Sequence, residues 1–157
     1  MTRWAELAQS VPEFAAALRS RFESHKHCLI ATVRAGGAPR LSGIEAWFWE
    51  GDLMLGMMPA SRKADDLERD GRFELHSAPT DLELTEPDAR IWGSADREAD
   101  PAAIARFADS LPYEGDPGPM VLFRCALEGA ALIRVEGDEL VIESWTPHGG
   151  MRRQART

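Results

Sequence analysis

Apolar residues in the first segment fall at Trp4, Leu7, Val11, Phe14, Leu18 and Phe22. Steps of three and four place them on one helical face. Pro12 would interrupt a single helix, whereas Ser10-Val-Pro-Glu13 has the form of a capping box with proline at the first helical position. The spacing predicts a short helix near 3–9 and a longer one near 11–23.

From His27 the period shortens. His27-Cys-Leu-Ile-Ala-Thr-Val-Arg34 is an apolar, β-prone run, and Gly36-Gly37 supplies the turn of a hairpin. A second strand is predicted from Arg40 to Glu50. A Glu50-Gly-Asp52 turn then leads into Leu53–Met58. The same Glu-Gly-Asp turn recurs at 136–138, between predicted strands Ala130–Val135 and Glu139–Trp145. Further strands are predicted at Arg72–His76, Ala89–Glu98 and Met120–Leu127. A helix over Ser61–Arg69 stops at Gly71, and Asp100-Pro101 opens another with Ile104, Phe107, Ala108 and Leu111 on one face. The acidic stretch Asp81–Asp88 and the Pro/Gly-rich stretch 112–119 read as loops. Seven or eight strands joined mainly by hairpins predict a mainly β fold, an antiparallel sheet closed into a barrel with peripheral helices. A doubly wound parallel sheet would need a helix after nearly every strand. One domain over 1–157 is expected, with 1–23 as its helical segment.

Charge narrows the partners. Lys and Arg number 18 against 26 Asp and Glu, a net charge of −8. No basic run exceeds Arg152-Arg153, so nucleic acid is not the expected partner. No stretch approaches the ~20 apolar residues of a membrane span. The first residues lack the layout of a signal peptide, and a cytoplasmic location is expected. Cys28 and Cys125 lie in apolar runs and read as small core residues. His25 and His27 stand at i, i+2 without an accompanying carboxylate or cysteine cluster, so no metal site is expected. Trp47 and Trp49 face one side of a strand. They suit a cofactor wall, but packing in a core or interface is the commoner use.

The chemistry concentrates in Met57-Met-Pro-Ala-Ser61-Arg62-Lys63. A strand ends, a proline turns the chain, and a hydroxyl followed by two cations opens a helix. Unpaired amides at a helix start carry partial positive charge and suit an anion. Ser61, Arg62 and Lys63 would add a hydroxyl, a guanidinium and a point charge. The residues alone equally allow a plain serine cap followed by solvated cations.

The order of these segments carries a resemblance. Leu29-Ile-Ala-Thr-Val33, Gly37-Ala-Pro-Arg40 and Ser61-Arg-Lys63 follow one another as in the split-barrel superfamily of the pyridoxamine-phosphate oxidases, and the likeness spans about 25–145. The resemblance implies a split antiparallel β-barrel, a homodimer, and a flavin-type cofactor shared at the subunit interface. It implies a phosphate held by Ser61, Arg62, Lys63 and Arg40. It sets the ring against Leu41, Ser42 and Gly43 and against Met57 and Met58, with the partner subunit completing the site and Trp145 and Arg152 of the C-terminal segment as the candidates for that. Gly43 would let a flat ring approach the backbone; a β-bulge is the other reading of a mid-strand glycine.

The oxidases themselves carry an Arg-x-His near the C-terminus that helps hold the substrate. This chain has none, and Glu45 stands about where their strand carries lysine. The resemblance therefore points away from pyridoxamine phosphate and toward the smaller FMN- or F420-binding members. The expected function is an FMN-dependent oxidoreductase acting on a small molecule. F420 in place of FMN, or non-catalytic binding of a flavin or haem, are the alternatives.

Overall fold

Glu45 divides the predicted 40–50 strand in two, and that break organises the fold. The structure, a computed structural model, describes residues 1–79 and 83–157. Asp81 and Leu82, at the head of the expected acidic loop, lie outside the described residues. β1 (Cys28–Val33) pairs with β2 (Pro39–Ile44), and after Glu45 alone β3 (Ala46–Trp49) pairs with β4 (Asp52–Met57). The remaining strands are β5 (Arg72–His76), β6 (Asp88–Arg97), β7 (Val121–Glu136), β8 (Glu139–Thr146) and β9 (Gly150–Arg156). All pairings are antiparallel, in the order β2-β1-β5-β6-β7-β4-β3, with β8 branching from β7 and β9 from β8. β2 and β3 are thus the two ends of the hydrogen-bonded order, yet only Glu45 separates them in the chain. The sheet curls until its ends meet covalently, without a ladder between them. This is the split antiparallel barrel that the resemblance implied, rather than a barrel closed by pairing all round.

The Glu-Gly-Asp turn forms as expected. Glu50 and Gly51 occupy positive φ (46° and 81°) between paired Trp49 and Asp52, which is the two-residue turn that matches strand twist. The strands expected at 120–127 and 130–135 are instead one, β7. Trp92 lies opposite Gly129 and Gly93 opposite Leu127, so Glu128 is the extra residue of a bulge. Gly129 lies against the Trp92 indole, which comes within 2.2 Å of where a Cβ would stand. A Cβ on Gly93 would meet the Ala126 carbonyl oxygen at 2.0 Å. Backbone cannot yield as a side chain does. Gly93→Ala is therefore expected to cost about 3 kcal/mol of stability in urea unfolding; a cost near zero would contradict this packing.

Helices α1 (Trp4–Ser10) and α2 (Pro12–Glu23) plug one side of the barrel. Trp4, Leu7, Phe14, Leu18 and Phe22 join barrel residues such as Ile30, Leu55 and Phe123 in the main core, with Trp4 and Phe48 rings 4.4 Å apart. The capping box is not formed. Val11 caps α2 with no side-chain hydrogen bond, and the Ser10 hydroxyl donates back to Leu7 O at 3.0 Å. β4 is buried on both faces: Leu53, Leu55 and Met57 enter the main core, while Met54 meets Phe107 and Leu122 in a second cluster. Helix α4 (Pro101–Ser110), which brings Phe107, covers that outer face. Trp47 and Trp49 pack edge-on to Phe107 at 6.4 and 5.6 Å, as sheet aromatics commonly do. Helix α3 (Arg62–Arg69) follows β4. No helix among the described residues is long and apolar enough to cross a membrane.

Candidate functional site

A cavity of about 360 Å³ opens where β2 gives way to β3, bounded by the end of β4, the start of α3 and the loop after α4. Its walls are largely apolar and include Ile44, Trp47, Phe107 and Leu111. Such a volume is within the usual range of small-molecule sites. Five of the residues expected at the site line it: Gly43, Met57, Met58, Ser61 and Lys63. A Cβ on Gly43 would meet nothing within 4 Å, so this stretch of wall is bare backbone open to a flat group.

Ser61 is the N-cap of α3, and its Oγ accepts the Ala64 N–H at 3.3 Å. This leaves the amides of Arg62 and Lys63, the first of the helix, without intrahelical partners. Lys63 has no carboxylate within 4.0 Å among the described residues, whereas most other cations of this acidic chain are paired. Arg62 is likewise unpaired, but it is exposed and outside the cavity wall.

The other expected residues lie elsewhere in this chain. Arg40 points inward from β2 and donates Nε to Asp66 Oδ2 at 2.6 Å, joined there by the Thr32 hydroxyl at 2.8 Å and by Arg69 at 3.0 Å. Burial of Asp66 opposes its ionisation. Hydrogen bonds from Arg40, Thr32 and Arg69 outweigh that and hold its pKa down to about 2. Arg40 is therefore a tether between α3 and the β1–β2 ribbon. Leu41 is exposed on the outer face of β2, and the Ser42 hydroxyl is buried with no hydrogen-bond partner among the described residues. Trp145 is buried in the main core, and Arg152 is exposed on β9 opposite Ser144. Cys28 and Cys125 are buried free thiols; burial pushes Cys28 up to about 12, and Cys125 shifts the same way. Among the described residues no group of three or more His, Cys, Asp or Glu could hold a metal ion.

The structure adds residues that the sequence did not assign to the site. Glu45, at the junction of β2 and β3, lines the cavity together with His27 and Tyr113. The Tyr113 hydroxyl donates to Glu45 Oε2. Lys26 Nζ and His27 Nε2 stand 3.6 and 3.5 Å from Oε1. Tyr113 sits in the Pro/Gly-rich stretch, and a lone aromatic among turn residues was the available signal. Its ring packs edge-on to Trp47 at 6.1 Å. Burial, then the hydrogen bond and negative charge of Glu45, push its phenol up to about 12. Tyr113 is the single tyrosine of the chain, so phenolate absorbance reads it directly. About one pH unit above the ordinary value of 10.0 it is expected still mostly protonated, and measurably more ionised in Glu45→Gln, where burial still raises it but the carboxylate no longer does. Identical titrations in the two proteins would refute the contact.

The family model for pyridoxamine 5'-phosphate oxidase matches residues 14–134. The chain belongs to this family. The matched span runs from α2 to β7 and contains the cavity's β2–β3 junction, the α3 start and Tyr113. Among curated proteins nothing matches the sequence. Solved structures share the oxidase-family fold at low identity. A pyridoxamine 5'-phosphate oxidase-related, FMN binding protein from Nostoc punctiforme superposes with a TM-score of 0.64 at 17% identity, covering 94% of this chain and 96% of that one. PhzG from Burkholderia lata, in complex with tetrahydrophenazine-1-carboxylic acid, gives 0.63 at 13% identity, covering 96% and 91%. A heme binding protein from Mycobacterium smegmatis gives 0.61 at 22% identity, covering 83% of this chain and 56% of that one.

Proposed function

We propose that this chain is an FMN-dependent oxidoreductase acting on a small organic molecule, with the cofactor in the cavity between β2, β4 and α3. One observation carries the reading. Lys63, free of carboxylate partners among the described residues, stands with Ser61 at the start of α3 on the wall of an otherwise mostly apolar cavity. A helix start and an unneutralised ammonium suit a phosphate, and the bare Gly43 wall suits a flat ring. The residues present therefore fit the group. Bound flavin would supply the hydride chemistry, while the chain binds, orients and excludes water. No protein nucleophile is needed. FMN is preferred to F420 because, among the described residues, Lys63 is the one lysine or arginine on the cavity wall, and a polyglutamate tail would call for more.

A second copy of the chain is part of this proposal. On the outer face of β1–β2, Leu29, Ala31 and Val33 stand opposite Gly43, Leu41 and Pro39. Leu41 is 67% exposed and Met58, on the cavity wall, 75%. This apolar face runs into the cavity at Gly43, so a partner seated on it would bury the face and close the site. Sedimentation at micromolar concentration is expected to give a dimer, and a monomer alone would contradict it.

The fold by itself does not choose a ligand, and His27 on the cavity wall favours haem as a second reading. Parallel titrations with FMN, F420 and hemin test all three. Saturable, tight FMN binding is expected. A Soret shift with hemin and no flavin binding would replace this reading with haem binding.

A further inference from the structure

Alongside Lys63, the cavity wall carries an acidic element. Glu45 occupies the residue that joins the two ends of the sheet, so its position is set by barrel closure rather than by a loop. Its side chain is 19% exposed. Among the described residues its only hydrogen bond comes from the Tyr113 hydroxyl, to Oε2. Lys26 and His27 approach Oε1 at 3.6 and 3.5 Å, beyond direct hydrogen-bond length, and both are well solvated. Oε1 therefore keeps its acceptor capacity, since a carboxylate offers about four lone-pair sites. Lys26 also lies 5.1 Å over the Tyr113 ring, whose hydroxyl donates to Glu45.

A partly desolvated carboxylate with an open oxygen, set in apolar walls, attracts a donor and repels an anion. We propose that Glu45 makes this cavity selective for ring-bearing substrates that present an amine or other N–H donor, and selects against carboxylates at the same position. Tyr113 holds the carboxylate in place and competes with the incoming donor for it. The inference rests on the flavin reading, because the bound ring serves as the reporter.

The test titrates FMN-loaded protein with benzylamine and with benzoate, two small rings of opposite charge, following the bound-flavin spectrum. Benzylamine is expected to bind about tenfold tighter, the scale of one charge-assisted hydrogen bond. Glu45→Gln should remove the preference in protein kept saturated with FMN. Tyr113→Phe should move the other way and tighten benzylamine about threefold, because a competitor for the carboxylate is gone; a merely structural role would weaken both ligands. Benzoate binding as well as benzylamine, no binding of either, or a preference that survives Glu45→Gln would overturn the proposal. Failure of FMN to bind is a separate outcome that defeats the flavin reading. Calorimetry of the two ligands on flavin-free protein then decides the role of Glu45 by the same criteria.

Discussion

Lys63→Ala is expected to raise the dissociation constant for FMN by roughly ten- to a hundredfold without unfolding the chain. A hydrogen bond to a charged group contributes about 1.5–3 kcal/mol, and each 1.4 kcal/mol is tenfold in affinity. Lys63 is the cavity's unpaired ammonium, and the protein around it carries a net charge of −8, so nearby carboxylates oppose a phosphate unless a local cation meets it. Arg62→Ala should add less than about threefold, because its side chain is exposed and off the wall. Ser61→Ala should act mainly on stability, by about 1 kcal/mol, through the lost cap on Ala64. Fluorescence titration with circular dichroism as the folding control measures all three. Unchanged FMN affinity in Lys63→Ala would remove the phosphate assignment at α3.

Asp66→Ala should destabilise the fold by about 4 kcal/mol in urea unfolding, because removing one partner of a buried ionic group strands the other. Asp66 is 2% exposed and receives hydrogen bonds from Thr32 on β1, Arg40 on β2 and Arg69 on its own helix. The loss would leave Arg40, 22% exposed, without its carboxylate. The same contact gives an acid limb to stability. The folded pKa of about 2 lies below the ordinary 3.8, so the stabilisation is complete above about pH 4 and disappears as pH falls through 2. Roughly 2 kcal/mol is at stake in that window. Because α3 carries Ser61 and Lys63, the substitution is also expected to weaken FMN. A cost below about 1 kcal/mol would show that the network is not a tether.

The elements were legible wherever burial or turn chemistry wrote them into the residues. The apolar spacing from Trp4 to Phe22 gave both N-terminal helices, and Glu-Gly turns gave the β3–β4 and β7–β8 hairpins. β9 left no such mark: all seven residues of Gly-Met-Arg-Arg-Gln-Ala-Arg are exposed, and only backbone pairing to β8 makes them a strand. The bulge at Glu128 was invisible for a related reason, since register depends on the partner strand.

For the site, the sequence by itself determined the Ser61-Arg-Lys63 helix start, the glycine at 43 and the family, because these are local backbone and composition signals. Only the tertiary structure decided which cations face the cavity. It turned Arg40 onto Asp66, buried Trp145 in the core and brought Tyr113 to Glu45 across 68 positions of sequence. Side-chain direction depends on how the sheet curls, and the curl is fixed by contacts between strands far apart in the chain.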